Sequence, residues 1–279
     1  LPTAVLLAQK TGRKIVCLES GGARQDGETH PLNAVVHLGS VYKGAEEGRF
    51  RCLGGASTRW GGALIPFQDA DLRGCGWPLG MDALTPYLPE AEALFGLDPG
   101  PYCDPDFRFD LGAHHVNRLA KWPPFKKRNV AALLDSELRS DPGVAVWLNA
   151  HATAIAVSAE GVTVKAQSMT GDTLEIRARK LIVAAGAIET TRLALLIDRQ
   201  NGGAVSRTAP AVGRYFGDHL SVEVGEIDVL RRSELNRVIG FRFGRGGTMR
   251  NIRFELAPET ALRNVLPPSF AHIAFETDQ

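Results

Sequence analysis

The fold class is indicated by one short stretch near the start of the sequence, Ile15-Val16-Cys17-Leu18-Glu19-Ser20-Gly21-Gly22. An apolar run there ends in an acid and two glycines. Residues 4–9 before it are mostly apolar and are followed by Gly12, which predicts the second half of a buried helix closed by a glycine. A helix that leads into such a run is typical of an α/β unit. The sequence therefore predicts an α/β fold in which residues 13–19 form a short parallel strand.

Glu19 is the first candidate binding residue. In a nucleotide-binding βαβ unit, the acid that ends the second strand accepts hydrogen bonds from the adenosine ribose hydroxyls. A carboxylate suits two adjacent hydroxyls and repels a 2′-phosphate, and Gly21 and Gly22 would let the backbone pass close to the ligand. The alternative is a solvated glutamate at a strand end. The usual Gly-x-Gly-x-x-Gly turn is absent, and a helix in register would place it immediately upstream of Leu1.

A second glycine-rich stretch is Leu53-Gly54-Gly55-Ala56-Ser57-Thr58-Arg59-Trp60-Gly61-Gly62. Two glycine pairs flank a Ser-Thr pair and a tryptophan, so the backbone could approach a flat or phosphorylated ligand and donate from its N–H groups. A structural turn rarely uses four glycines around a tryptophan. The stretch lacks the second glycine of a G-x-S-x-G nucleophile elbow, and the sequence contains no P-loop and no H-E-x-x-H motif.

A third stretch runs from Lys180 to Thr191 and joins the apolar run Leu181-Ile182-Val183-Ala184-Ala185 to a helix through Gly186. It predicts a buried strand over 181–185 and a helix through Leu196. The N–H groups of the first helical turn would face whatever lies at the end of that strand. Many α/β proteins end a central strand in this way, so the stretch alone identifies no ligand.

By composition the chain divides into four regions, 1–67, 68–143, 144–220 and 221–279. The second region is rich in Pro, Trp and other aromatic residues, and it predicts a cap or lid with helices near 82–95 and 129–138. The last region alternates apolar and polar residues again, including Val222, Val224, Ile227 and Val229. The third region contains four predicted strands, at 144–148, 152–157, 162–166 and 174–178, with a hairpin turn at 170–172.

Composition excludes several classes of protein. The 279 residues carry 32 Lys+Arg against 31 Asp+Glu, so net charge does not favour nucleic acid or an acidic membrane, and the Arg242–Arg250 run is interpreted as a solvated strand edge rather than an RNA-binding patch. No apolar run reaches the roughly 18 residues of a membrane span. Four cysteines without a C-x-x-C pair predict a reducing, cytoplasmic setting and no metal site. Glycine is the one excess, at 30 residues.

Together these stretches resemble the flavin-dependent glucose–methanol–choline (GMC) oxidoreductases. The resemblance is carried by an L-E-x-G-G strand end, a G-G-x-S-x-x-W-G-G stretch and an A-A-G-A-I-E-T-x-R-L helix start, in the family's order. Two further stretches are similar. One is Trp77-Pro78 followed by Leu84-Thr85-Pro86-Tyr87 and Ala91-Glu92, and the other is Val212-Gly213-Arg214-Tyr215-Phe216-Gly217-Asp218-His219. The match covers most of residues 1–220 and is faint beyond them.

The resemblance implies a Rossmann-like FAD-binding domain, residues 1–67 and 144–220, with an α+β substrate or cap domain. Residues 68–143 would be the cap insertion, and residues 221–279 would begin the substrate-binding domain. Glu19 would bind the adenosine ribose. The other implied FAD contacts are Gly21, Gly22, Gly54, Gly55, Ser57, Thr58, Trp60, Gly61, Gly62, Ala152, Ala185, Gly186, Glu189 and Asp218. Some members attach the flavin through a histidine beside this tryptophan, and Arg59 makes such a link unexpected here.

The implied reaction is oxidation of an alcohol or sugar hydroxyl, in which a histidine base removes the proton while hydride moves to flavin N5. The family's catalytic pair lies near its C-terminus, and no segment of this sequence matches it. His219 belongs to the cofactor-side motif, and the other six histidines are expected to be structural or at the surface. No catalytic residue is therefore predicted. Since the GxGxxG turn is also missing, we expect an incomplete portion that does not oxidise alcohols alone, and the substrate and electron acceptor stay open.

Two alternatives remain. An NAD-dependent Rossmann dehydrogenase would use Glu19 equally well, but it has no need of the segment from Ser57 to Gly62. The other alternative is a catalytically inactive fragment or scaffold without a cofactor. Flavin absorbance separates these hypotheses, because only the first predicts a coloured protein.

Overall fold

The computed structural model describes residues 1–25, 29–74, 77–107, 109–227 and 231–274. The chain forms two compact units, the first Leu1–Thr58 with Leu134–Val224 and the second Arg59–Leu133 with Gly225–Gln279. Helices and strands alternate along the chain, and the strands form several sheets. The broad prediction of a mixed α and β fold is therefore confirmed. The Rossmann-like and cap assignments are finer statements and stay predictions, as does the division into four regions.

The regular elements take the following bounds. The helices are α1 (Pro2–Thr11), α2 (Gly44–Glu47), α3 (Asp69–Gly74), α4 (Met81–Leu84), α5 (Leu88–Phe95), α6 (Val130–Leu133), α7 (Asp135–Ser140), α8 (Ala187–Gln200) and α9 (Arg232–Ile239). The strands are β1 (Ile15–Leu18), β2 (His115–Trp122), β3 (Val144–Trp147), β4 (His151–Ser158), β5 (Gly161–Gln167), β6 (Thr173–Ala178), β7 (Arg242–Phe243), β8 (Met249–Leu256) and β9 (Phe270–Ala271).

The first unit contains a small parallel sheet of two strands, β1 and β3. β1 pairs with β3 in register from Ile15 opposite Val144 to Leu18 opposite Trp147. α1 contacts β1 and buries Val5, and its last turn is closed by the Gly12 N–H as predicted. The predicted helix and parallel strand are therefore confirmed. Because parallel strands end at one edge of a sheet, the residues that follow β1 and β3 come together there.

An antiparallel meander, β4-β5-β6, completes the strands of the first unit, and it confirms the predicted strands and hairpin. The Ser168 N–H closes the hairpin turn on the Asp172 carbonyl at 2.9 Å. α8 packs on β4, where Gln200 Oε1 accepts from the Ile155 N–H at 2.8 Å. The meander and the parallel sheet are adjacent in sequence, since β4 begins four residues after β3 ends.

The predicted buried strand over 181–185 is wrong. These residues form no strand, and Leu181 and Ile182 are 37% and 62% exposed. An apolar run supplies the burial tendency of a strand, but a strand also needs a neighbour for its backbone hydrogen bonds. Among the described residues, β1 is bonded to β3 alone and offers no partner to this segment. The helix expected after it is present as α8.

Two other sequence patterns differ from the structure. Val222, Val224 and Ile227 alternate but lie in a segment without strand structure, and Val229 is outside the described residues. The helices predicted near 82–95 and 129–138 are each present as two short helices, α4 with α5 and α6 with α7. In the first case a 3-10 turn with Pro86 separates the two pieces.

The second unit is built on the antiparallel sheet β2-β8-β7, with β9 paired to β8. Its core contains charged groups as well as apolar ones. Lys121 is fully buried, and its Nζ donates to Glu92 Oε1 at 2.5 Å and to the Gly100 carbonyl at 2.8 Å. Burial and the Glu92 carboxylate raise the pKa of Tyr102, whose ring lies 4.1 Å from Lys121 Nζ. Buried charge in this unit is thus normally paired.

Three further sequence expectations concern the whole chain. Within the described ranges, no helix is long and apolar enough to cross a membrane. Cys17, Cys52 and Cys103 are free thiols, and Cys75 lies outside the described residues. No group of three or more His, Cys, Asp or Glu side chains in the described part of the chain is arranged to hold a metal ion.

Candidate functional site

Glu19 lies directly after β1 and is partly buried. Its Oε1 accepts from the Gly21 N–H at 2.8 Å and from Ser20 Oγ at 3.3 Å, while Oε2 has no hydrogen-bond partner among the described residues. Burial raises the pKa of Glu19, and the bonds from Gly21 and Ser20 and the charge of Arg51 reduce this rise. The site thus presents one fixed carboxylate oxygen and one available acceptor.

The backbone after β1 runs against the second glycine-rich stretch. The Leu53 N–H donates to the Gly22 carbonyl at 2.9 Å, and Gly22 and Cys52 form a parallel bridge. A Cβ on Gly21 would lie 1.8 Å from the Arg51 carbonyl oxygen. The close approach of these two segments therefore depends on glycine at position 21.

The backbone after β3 is hydrogen-bonded to the backbone after β1. The Asn149 N–H donates to the Gly21 carbonyl at 2.8 Å, and the Ala150 N–H donates to the Glu19 carbonyl at 2.9 Å. Ala152 follows two residues later, at an irregularity in the pairing of β4 with β5. Two backbone hydrogen bonds therefore hold the segment that leads to Ala152 against Glu19 and Gly21.

Arg51 connects these segments to the third stretch. Its Nη1 donates to Ser20 Oγ at 2.8 Å, and its Nη2 donates to Glu189 Oε2 at 2.9 Å across 138 residues of sequence. Its Nε donates to Oδ1 of the fully buried Asn33 at 2.7 Å. One guanidinium therefore holds the residue after Glu19, the loop at Asn33 and the first turn of α8.

Glu189 is buried and accepts from three arginines. Arg49 Nη1 lies 3.3 Å from its Oε2, and Arg192 Nη2 lies 2.6 Å from its Oε1. Burial favours the neutral acid, but the hydrogen bonds and charges of Arg192 and Arg51 outweigh it and lower the pKa of Glu189. Sequence reasoning missed Arg49, Arg51 and Asn33, because the only signal was two arginines beside the glycine-rich stretch, with no indication of their acidic partner.

The second stretch is divided between the two units. Gly54 and Gly55 have φ of 96° and 53°, which favour glycine, and the hydroxyls of Ser57 and Thr58 donate to their carbonyls. Residues 54–58 therefore form a tight turn in the first unit. The predicted contacts Trp60, Gly61 and Gly62 belong to the second unit, where Trp60 Nε1 donates to the Arg128 carbonyl at 2.7 Å.

The remaining predicted residues lie in two places. Ala185 and Gly186 precede α8, and the Ala185 N–H donates to Thr190 Oγ1 at 3.0 Å. Asp218 is exposed and accepts from Tyr42 Oη and from the His219 N–H. The hydrogen bonds from Tyr42 and His219 lower the pKa of Asp218. Asp218 thus belongs to a separate surface contact within the first unit and does not contact Arg51 or Glu189.

A cavity borders the edge of the sheet where β3 ends. It has a volume of about 610 Å³ and is lined by Trp147, Asn149, Ala150, Met169 and Leu174, among others. Ligand pockets in proteins are commonly of about 300–1,000 Å³. The lining combines apolar side chains, among them Trp147, Met169 and Leu174, with polar ones such as Asn149 and Asp172.

A scan against protein-family models finds no match, and a search of curated proteins also finds none. The resemblance to the GMC oxidoreductases therefore stays a prediction that rests on the sequence. The geometry of Glu19, Arg51 and Glu189 is an independent observation.

Proposed function

We propose that the first unit binds the adenosine part of FAD, in a flavin-dependent oxidoreductase that acts on an alcohol or sugar hydroxyl. The connection of the segment after β1 to the first turn of α8 through Arg51, which lies two residues before the second glycine-rich stretch, supports this proposal. Glu19 and Ser20 follow β1 at the carboxyl edge of the parallel sheet. Nucleotides bind at this edge in open α/β sheets.

The residues present fit the adenosine ribose. Glu19 Oε2 has no hydrogen-bond partner in the described part of the chain, so it can accept from a ribose hydroxyl, and Oε1 is held in place by the Gly21 N–H. Gly21 and Gly22 add no side chain of their own beside this carboxylate, and a Cβ on Gly21 would overlap the Arg51 carbonyl oxygen. When bound, the flavin would supply a hydride acceptor for the alcohol carbon, while Glu19, Arg51 and Glu189 would bind and orient the adenosine end.

Reconstitution with FAD tests the proposal. The purified chain is incubated with FAD, passed through a desalting column and scanned for flavin absorbance, and its affinity is measured by flavin fluorescence. We expect Glu19→Gln to weaken binding about tenfold or more, because it replaces a charged acceptor of ribose hydroxyls by a neutral amide. Glu160→Gln, in the exposed turn between β4 and β5, is the matched control and should bind as the wild type does.

A colourless chain, or equal affinity in all three proteins, overturns the proposal. Tighter binding of NAD than of FAD would instead support a nicotinamide enzyme.

Acidification should weaken FAD binding through Glu19. The ionised carboxylate is the acceptor, and the pKa of Glu19 is raised by burial, so the neutral acid forms at a higher pH than for an exposed glutamate. The ordinary pKa of a glutamate is 4.5. We therefore expect the affinity of the wild type for FAD to begin to fall while the pH is still above this value. In Glu19→Gln this change should be absent, and equal pH dependence in the two proteins would assign the titration to another group.

A further inference from the structure

Among the described residues of the second unit, Arg253 is a buried charge without an ion-pair partner. It lies in β8, and only 7% of its surface is exposed. Its Nη1 donates to the carbonyl of the preceding residue, Ile252, at 3.2 Å. No carboxylate within the described ranges forms an ion pair with Arg253.

Two acids of the second unit, Glu255 in β8 and Asp71, already have other partners. Glu255 Oε2 accepts from Arg118 at 2.8 Å and from Gln68 Nε2 at 2.5 Å. Asp71 is bound by Arg263. Burial lowers the pKa of Arg253, and no opposing charge offsets that effect. A buried charge is normally paired, so an unpaired guanidinium at this depth indicates a missing anion.

The strands on both sides of β8 add positive charge and an aromatic ring. β2 places Arg118 opposite Arg253, and continuation of the β8–β9 register places His272 opposite it on the other side. The guanidinium carbon lies 5.5 Å from the centre of the Phe270 ring, and Phe270 and His272 are both exposed. Burial, together with the charge of Arg253, lowers the pKa of His272.

The guanidinium keeps a limited exposure to solvent. The nitrogens of Arg253 other than Nη1 have no partner among the described residues, and none of them is completely shielded from solvent. The planar fork of donors in arginine matches two oxygens of one carboxylate or phosphate.

We propose that Arg253, with Phe270 and His272 at its entrance, forms a binding site for the oxyanion of a small molecule, either a carboxylate or a phosphate group. Arg253 supplies the charge and the two-pronged hydrogen bond. Phe270 and His272 form the wall of the site. This site does not depend on flavin, because it lies in the second unit and its test uses no cofactor.

Isothermal titration calorimetry of the whole chain at constant ionic strength tests this site, with inorganic phosphate and glycolate as the probes. We expect saturable binding of at least one probe to the wild type. Arg253→Met should weaken it at least about tenfold, because the charged donors are lost while the volume of the side chain is nearly kept. Arg253→Lys keeps the charge but not the fork and should give an intermediate affinity.

Arg177→Met is the matched control, since Arg177 is exposed and pairs with Glu175 on a different sheet. It removes the same charge and should leave affinity unchanged.

Tighter binding of phosphate assigns a phosphorylated ligand, and tighter binding of glycolate assigns a carboxylic acid. If Arg253→Met does not fold, Arg253→Lys decides the matter. The proposal is overturned if neither probe binds the wild type saturably, or if the Arg253 variants bind as the wild type and Arg177→Met do.

Discussion

Gly21→Ala should lower the free energy of unfolding of the chain by about 3 kcal/mol or more. The new Cβ would lie 1.8 Å from the carbonyl oxygen of Arg51 and 2.3 Å from its carbonyl carbon. Both atoms belong to the backbone, so no side-chain rotation relieves the overlap. The two segments must separate, which breaks the hydrogen bond between Leu53 and Gly22. Chemical denaturation followed by circular dichroism measures the change.

Gly217→Ala is the control for this substitution. Gly217 also belongs to the first unit, but a Cβ built there has no atom within 4 Å. Its effect should stay within about 0.5 kcal/mol, as for most surface changes. Equal stability of the two variants would show that the backbone segments at Gly21 and Arg51 are less closely packed than described.

The sequence predicts the local elements of the first unit because their signals are local. The apolar face of α1, closed by Gly12, is encoded within a dozen residues. The hairpin at 170–172 is likewise encoded by its turn residues and by the alternation on both sides. The candidate site was predictable to the extent that Glu19, Gly21 and Gly22 lie in one such element.

The segment 181–185 shows where local signals fail. Its apolar residues predict burial, but the hydrogen bonds of a strand come from a neighbour that the segment itself does not encode. The same holds for Val222 and Val224, whose alternation finds no partner strand in the described structure. The apolar pattern of a segment shows that it favours a strand, but the strand forms only where a neighbouring strand supplies backbone hydrogen bonds.

Side-chain partners far apart in sequence were also unpredictable. Arg51 and Glu189 meet across 138 residues, and the single-chain pattern around each of them is compatible with an exposed position. Arg253 is the opposite case, because its alternating strand environment gives no sign that it is buried without an acid. In both cases the decisive quantity is the desolvation of a charge, which depends on the tertiary structure.

The charge balance at Glu189 leads to the second large effect. Three arginines donate to this buried carboxylate, and the side chains of Arg49 and Arg51 are 16% and 10% exposed. Glu189→Gln keeps the size of the side chain but leaves these guanidinium groups without their anion. Since removing one partner of a buried ion pair typically costs about 3–5 kcal/mol, we expect a loss of about 3 kcal/mol in the free energy of unfolding.

Dependence on pH separates this electrostatic role from a packing role. The pKa of Glu189 is lowered in the folded chain, so its stabilising contribution is complete above the ordinary value of 4.5 and is lost as the pH falls through the lowered pKa. The difference in stability between wild type and Glu189→Gln should therefore be largest near neutral pH and shrink on acidification. Glu175→Gln, which removes an exposed carboxylate paired with Arg177, should change stability by less than about 1 kcal/mol. A Glu189→Gln deficit that is as large at acid pH as at neutral pH would mean that the side chain acts through its shape and not through its charge.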